Sequence, residues 1–122
     1  MVKEYNDPME ATLDVIGGKW KGLIMWYLHN GTKRFSELQR LIPGITQKML
    51  TKQLRDLESH GLITRKVYPQ VPPKVEYSVT EYGETTGPIF ADMHAWGVNY
   101  VAISKAKVKT YVGKVKDSHS AD

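Results

Sequence analysis

"ITQKMLTKQLRDLESHGLI", Ile45 to Ile63, is the stretch that decides the fold. At roughly 100° per residue in an α-helix, Leu50, Leu54 and Leu57 gather on one side. Lys48, Lys52 and Arg55 gather on the side opposite, bordered by Gln47 and Thr51. Thr46 stands where an N-cap belongs, and Gly61 where a left-handed C-cap calls for glycine. The spacing therefore predicts a helix reaching His60, with leucines inward and cations outward. Its two acidic residues, Asp56 and Glu58, come late. Taken alone, such a basic face is most simply a solvated helix surface. Its neighbours in the chain argue for more.

Upstream, "KRFSELQRLIPG" (33–44) places Phe35, Leu38, Leu41 and Ile42 on one face of a short helix that Pro43-Gly44 ends. Two short helices joined by a tight turn spell helix-turn-helix. In that motif the N-terminal end of the second helix enters a DNA major groove, which here is Thr46, Gln47 and Lys48. Lysine and arginine neutralise phosphates or bond guanine, and glutamine can pair with adenine, so the exposed residue types suit backbone and base readout.

Downstream the period changes to two. "LITRKVY" (62–68) and "KVEYSV" (74–79) alternate as strands of a hairpin. Between them "PQVPPK" (69–74) is too proline-rich for a strand and forms a stiff projecting tip. Arg65, Lys66 and Lys74 put cations on the strands and at the base of the tip, where a wing along the minor groove could use them. The alternative is a sheet edge guarded against aggregation by lysine and proline.

Around this centre the chain reads as helical. Asp7 is an N-cap, Pro8 a first helical residue and Glu10 the partner of a capping box, opening a helix that carries Met9, Leu13 and Ile16 on one stripe. Gly17-Gly18 separates it from "KWKGLIMWYLHNG" (19–31), a second helix with Trp20, Leu23, Ile24, Tyr27 and Leu28 on a broad apolar face. Thr80 can cap a last helix in which Ile89, Met93, Trp96 and Tyr100 recur at helical spacing, with Phe90 alongside and Gly87-Pro88 weakening its first part. That stripe exceeds what one small core needs. The reading is mainly α with a small β-hairpin, a winged helix-turn-helix domain over residues 1–104. From Lys105 the chain is lysine-rich and then polar, and a flexible tail over 105–122 is expected.

The 122 residues suffice for one domain, and a formal charge of +4 with pI about 9.2 tilts partner choice toward polyanions. The absence of cysteine removes disulfides, thiolate metal sites and thiol redox switching. With no apolar leader in "MVKEYNDPME" and no membrane-length apolar run, a soluble cytoplasmic protein without membrane contact is expected. His29, His60, His94 and His119 lack metal-ligand spacing, and "GGKW" is not a nucleotide loop because no strand precedes it. No cofactor, metal site or catalytic constellation is expected, and hence no enzyme.

"EATLDVIGGKWKGLIMWYL", "KRFSELQRLIPGITQKMLTKQLRDLESHGLITRKVYPQVPPKVEYSVTEYG" and "AWG" together resemble the HxlR family of bacterial transcriptional regulators, relatives of the MarR-like winged helix proteins. The resemblance runs from about Pro8 to Gly97. It implies a homodimeric repressor or activator of winged helix-turn-helix fold, whose N- and C-terminal helices form the dimer interface. Met9, Leu13, Ile89, Phe90, Met93, Trp96 and Tyr100 would supply it here. Many members have a sensing cysteine just before the proline that opens the first helix. This chain has Asp7 there, so thiol sensing does not carry over, and any signal must act through a ligand, a partner or methionine chemistry. Trp20, Trp26, Tyr27 and Trp96 are candidates to line a small-molecule effector pocket, against the simpler reading that they are core.

The DNA partner expected is double-stranded and carries an inverted repeat, read by Thr46, Gln47, Lys48, Thr51, Lys52 and Arg55 with support from the wing cations. The rival is a winged helix module that docks proteins and binds no DNA.

Overall fold

The computed structural model describes residues 2–109. Five α-helices and a three-stranded antiparallel sheet follow one another as α1 (Pro8–Ile16), α2 (Lys19–His29), β1 (Lys33–Arg34), α3 (Phe35–Leu41), α4 (Gln47–Ser59), β2 (Ile63–Tyr68), β3 (Lys74–Val79), a 3-10 turn (Gly83–Thr86) and α5 (Gly87–Ser104). The sheet order is β1-β3-β2. The last helix, α5, ends at Ser104, and most of the expected tail over 105–122, from 110 onward, lies outside the described residues.

Local chemistry explains the boundaries. The Asp7 carboxylate accepts the Met9 N–H at 2.7 Å, so α1 starts where the sequence places it. Glu10 does not close the capping box on Asp7. It accepts the N–H of Asn6 at 2.7 Å, one residue earlier. At the α1–α2 junction a Cβ on Gly17 would lie 2.2 Å from the Leu13 carbonyl oxygen, and Gly18 has φ of 90°. The chain can turn this tightly only through glycine. Thr46 caps α4 by accepting the Met49 N–H at 3.1 Å, and Gly61 beyond its C-terminus has φ of 78°. Thr46→Ala removes that acceptor and should destabilise the fold by about 1 kcal/mol, a loss readable as a lowered urea midpoint.

The core is a single cluster. Ile24, Met25 and Leu28 of α2, Leu38 of α3, Leu50, Leu54 and Leu57 of α4, and Ile63 and Tyr77 of the sheet are all buried in it. The turn between α3 and α4 is anchored there too, because Ile42 and Ile45 on either side of Pro43-Gly44 are buried. Lys21 of α2 forms an ion pair with Asp56 of α4, adding a polar strut between the two helices. The crossing of α4 is thus fixed at its start, middle and end.

Three further features depart from the sequence reading. The hairpin gains a third strand, since Lys33 and Arg34 pair with Tyr77 and Glu76 of β3. Thr80 does not cap the last helix: its hydroxyl accepts the N–H of Gly83, the first residue of the 3-10 turn, at 2.9 Å and donates to the Gly61 carbonyl at 2.6 Å, so it ties that turn to the end of α4. Phe90, assigned to the dimer face, is 3% exposed and belongs to the core, with its ring 5.9 Å from that of His29. It stands about 100° around α5 from Ile89, enough to turn it inward.

Candidate nucleic-acid interface

The side chains of Thr46, Gln47, Lys48, Thr51, Lys52 and Arg55 together line one open surface of α4. The three leucines on its opposite side are at most 1% exposed, so the helix is rotated as its sequence pattern requires. The hydroxyls differ in what they can offer. Thr46 uses a lone pair on the Met49 N–H and keeps its proton for an outside acceptor. Thr51 has donated its proton to the Gln47 carbonyl at 2.9 Å, leaving lone pairs and a methyl group for a partner. Asp56 is occupied by Lys21, and its backbone carbonyl is 2.9 Å from His60 Nδ1, so this acid is engaged within the protein.

The wing cations, by contrast, fall into two groups. Successive strand residues point to opposite faces, and direct cross-strand partners share a face. Arg65 lies opposite Tyr77 and turns toward α4, where it lines a cleft with Gln47, Thr51, Arg55 and Glu58. Lys66 lies opposite Glu76 on the other face, together with Lys74. There Lys66 Nζ is 4.9 Å and Lys74 Nζ 4.6 Å from the centre of the Tyr68 ring. Lys74 also pairs with Glu76 at 3.3 Å. The Tyr68 hydroxyl, donating to Glu76 at 2.9 Å, and then Lys74 hold the Glu76 carboxyl below the usual carboxylate range.

Sequence reading did not include Arg34, which β1 brings beside Glu76. The two-residue strand carries no readable alternation. Glu76 itself was legible, because it follows Lys74 at the strand period and must share its face.

Met9 and Leu13 of α1 and Ile89, Met93, Trp96 and Tyr100 of α5 are all exposed, and the rings of Trp96 and Tyr100 stack with centroids 5.4 Å apart. Of the four candidates for an effector pocket, Tyr27 is in the core, Trp20 and Trp26 pack half-buried against it, with Lys19 over the Trp20 ring and His94 stacked on Trp26 at 4.3 Å, and Trp96 is exposed and stacks on Tyr100. Among the described residues no group of three or more His, Cys, Asp or Glu could hold a metal ion, and no helix is long and apolar enough to cross a membrane.

Comparisons with known proteins agree with this geometry. Residues 15–105 match the family model described as HxlR-like helix-turn-helix. The chain is 57% identical over 99 residues to the HTH-type transcriptional regulator YkvN of Bacillus subtilis (strain 168), covering 81% of this chain and 84% of YkvN. It is 53% identical over 97 residues to an HTH-type transcriptional regulator of Methanothermobacter thermautotrophicus, covering 80% of this chain and 74% of that one. Among solved structures, the redox regulator HypR in its reduced form superposes with a TM-score of 0.77 at 52% identity, covering 83% of this chain and all of that one.

Proposed function

The chain belongs to the HxlR-like helix-turn-helix family and is a DNA-binding transcriptional regulator, not an enzyme; we propose that it acts in the cytoplasm as a homodimer, reading an inverted repeat through α4. The observation that carries this reading is the division of α4, with three leucines sealed in the core and six polar or basic side chains on one open surface. Two copies related by a two-fold axis would present their α4 helices to successive major grooves about 34 Å apart. Lys48, Lys52 and Arg55 then meet phosphates or guanine edges, Gln47 an adenine edge, and Arg65 the backbone beside the groove that α4 occupies. Lys66 and Lys74 serve the outer side of the wing.

The dimer contact proposed is the exposed apolar face of α1 and α5, formed by Met9, Leu13, Ile89, Met93, Trp96 and Tyr100, with Phe90 supporting it from the core side. HypR is a redox regulator. This chain contains no cysteine, so its signal acts through a ligand, a partner or its methionines.

Two substitutions test the DNA-facing surface. Lys52→Ala and Arg55→Ala should each weaken binding to the operator duplex by about 1–3 kcal/mol if they reach base edges, or weaken binding uniformly across sequences if they reach phosphates. Melting temperature should hardly change, because both side chains are exposed. Unfolding by either substitution would mean that α4 is rotated the other way.

A further inference from the structure

Glu76 stands in a ring of cations on the outer face of the sheet. It is the direct cross-strand partner of Lys66 on β2 and of Arg34 on β1, so all three side chains share that face. Lys74, two residues earlier on the same strand, joins them and pairs with the carboxylate at 3.3 Å. Tyr68, opposite Lys74, donates its hydroxyl to Glu76 Oε1 at 2.9 Å, and its ring lies beside the ammonium groups of both lysines. A hydrogen-bonded carboxylate surrounded by basic groups is the arrangement a bound phosphate would have.

We propose that Glu76 is an internal stand-in for a DNA phosphate: it occupies Lys74 in the free protein and must release it when the wing meets DNA, so that it sets the strength and salt dependence of wing contact. The inference rests on the reading of the wing as a DNA-contacting element. The Lys74 and Glu76 side chains are half-buried, 26% and 23% accessible, and an ion pair that water still reaches is weak. A duplex carries about one negative charge per 1.7 Å of its axis, and that field can take Lys74 from a single carboxylate. The released carboxylate then faces the phosphates and recruits a cation of its own. Binding therefore releases about one counterion fewer per wing than it would if Lys74 had no internal partner.

Glu76→Gln isolates the charge, because the amide oxygen can still accept the Tyr68 hydroxyl. Duplex affinity measured between about 50 and 200 mM salt should show E76Q binding about two- to fivefold tighter per wing at the low end, with the slope of log K against log salt steeper by up to roughly 0.9 per wing, or about 1.8 for the homodimer. Glu84→Gln, which removes an exposed acid from the 3-10 turn outside the wing, should change both quantities less. Tyr68→Phe removes the hydroxyl and no charge, and should leave the slope at its wild-type value. In a Lys74→Ala background the gain from E76Q should disappear, because Glu76 acts through that lysine. Weaker binding by E76Q, an unaltered slope, a gain that survives Lys74→Ala, or equal steepening by Y68F would each overturn the proposal. Failure of the wild-type chain to bind duplex at about 50 mM salt would instead remove the DNA reading on which it stands.

Discussion

Leu54→Ala should destabilise the protein by about 2–5 kcal/mol, the range for emptying a well-packed leucine site. The side chain is 1% exposed and lies between Leu50 and Leu57 on the buried side of α4, directly behind the basic surface. A domain of this size has about 5–15 kcal/mol of total stability, so the substitution removes a large share of it. Urea denaturation should show a lowered midpoint with an unchanged slope, the signature of lost stability without a change in the area exposed on unfolding. DNA binding would fall with the folded fraction, unlike Arg55→Ala, which acts on binding and spares the fold. A change below about 0.5 kcal/mol, typical of exposed sites, would show that α4 does not pack through this face.

Trp96→Asp should have its effect on assembly. Its side chain is 69% exposed in the single chain and stacks on Tyr100, amid an apolar surface that continues through Met93 and Ile89. Contiguous exposed apolar surface of this kind marks an interaction site, and a central tryptophan is the residue type that most often carries the binding energy of such a site. A buried carboxylate facing its symmetry mate costs both desolvation and repulsion. Sedimentation should therefore give monomers for the variant and dimers for the wild type. Operator affinity should drop by roughly 10²–10⁴, because two half-sites are no longer engaged by one linked pair. Thermal stability of the monomer fold should change little, as Trp96 lies outside the core. An intact dimer would refute the assignment of this face.

The parts of this molecule that were legible in its sequence are those where one physical requirement dominates. The 3.6-residue recurrence of Leu50, Leu54 and Leu57, with Thr46 before it and Gly61 after it, leaves α4 only one boundary and one rotation. The α5 helix is less determinate because it is apolar on two sides. Ile89 and Phe90 are equally hydrophobic, and only the packing of α2 against α5 sends Phe90 inward and leaves Ile89 exposed. The β1 strand is invisible for a different reason: two residues carry no period, and they become a strand because the segment between α2 and α3 lies alongside β3.

The site divides in the same way. The five α4 residues and the Thr46 cap follow from one helix and lie on one surface. The wing cations needed the strand alternation to be applied to each residue: Arg65 and Lys66 are neighbours in sequence, yet one faces α4 and the other the opposite side of the sheet. That Glu76 shares a face with Lys74 follows from the strand period alone, whereas its place between Lys66 and Arg34 required the register.

The most direct test of the account is the salt dependence of binding to a duplex carrying the operator, for which the DNA flanking the chain's own gene is the first candidate. Each phosphate neutralised contributes about −0.9 to the slope of log K against log salt. Lys48, Lys52 and Arg55 on each of two protomers therefore predict a slope on the order of −5 from α4 alone. A steep negative slope of that size is expected, reduced by about one for each of these cations replaced by alanine on one protomer of the pair. A flat slope, or no binding at low salt, would contradict it.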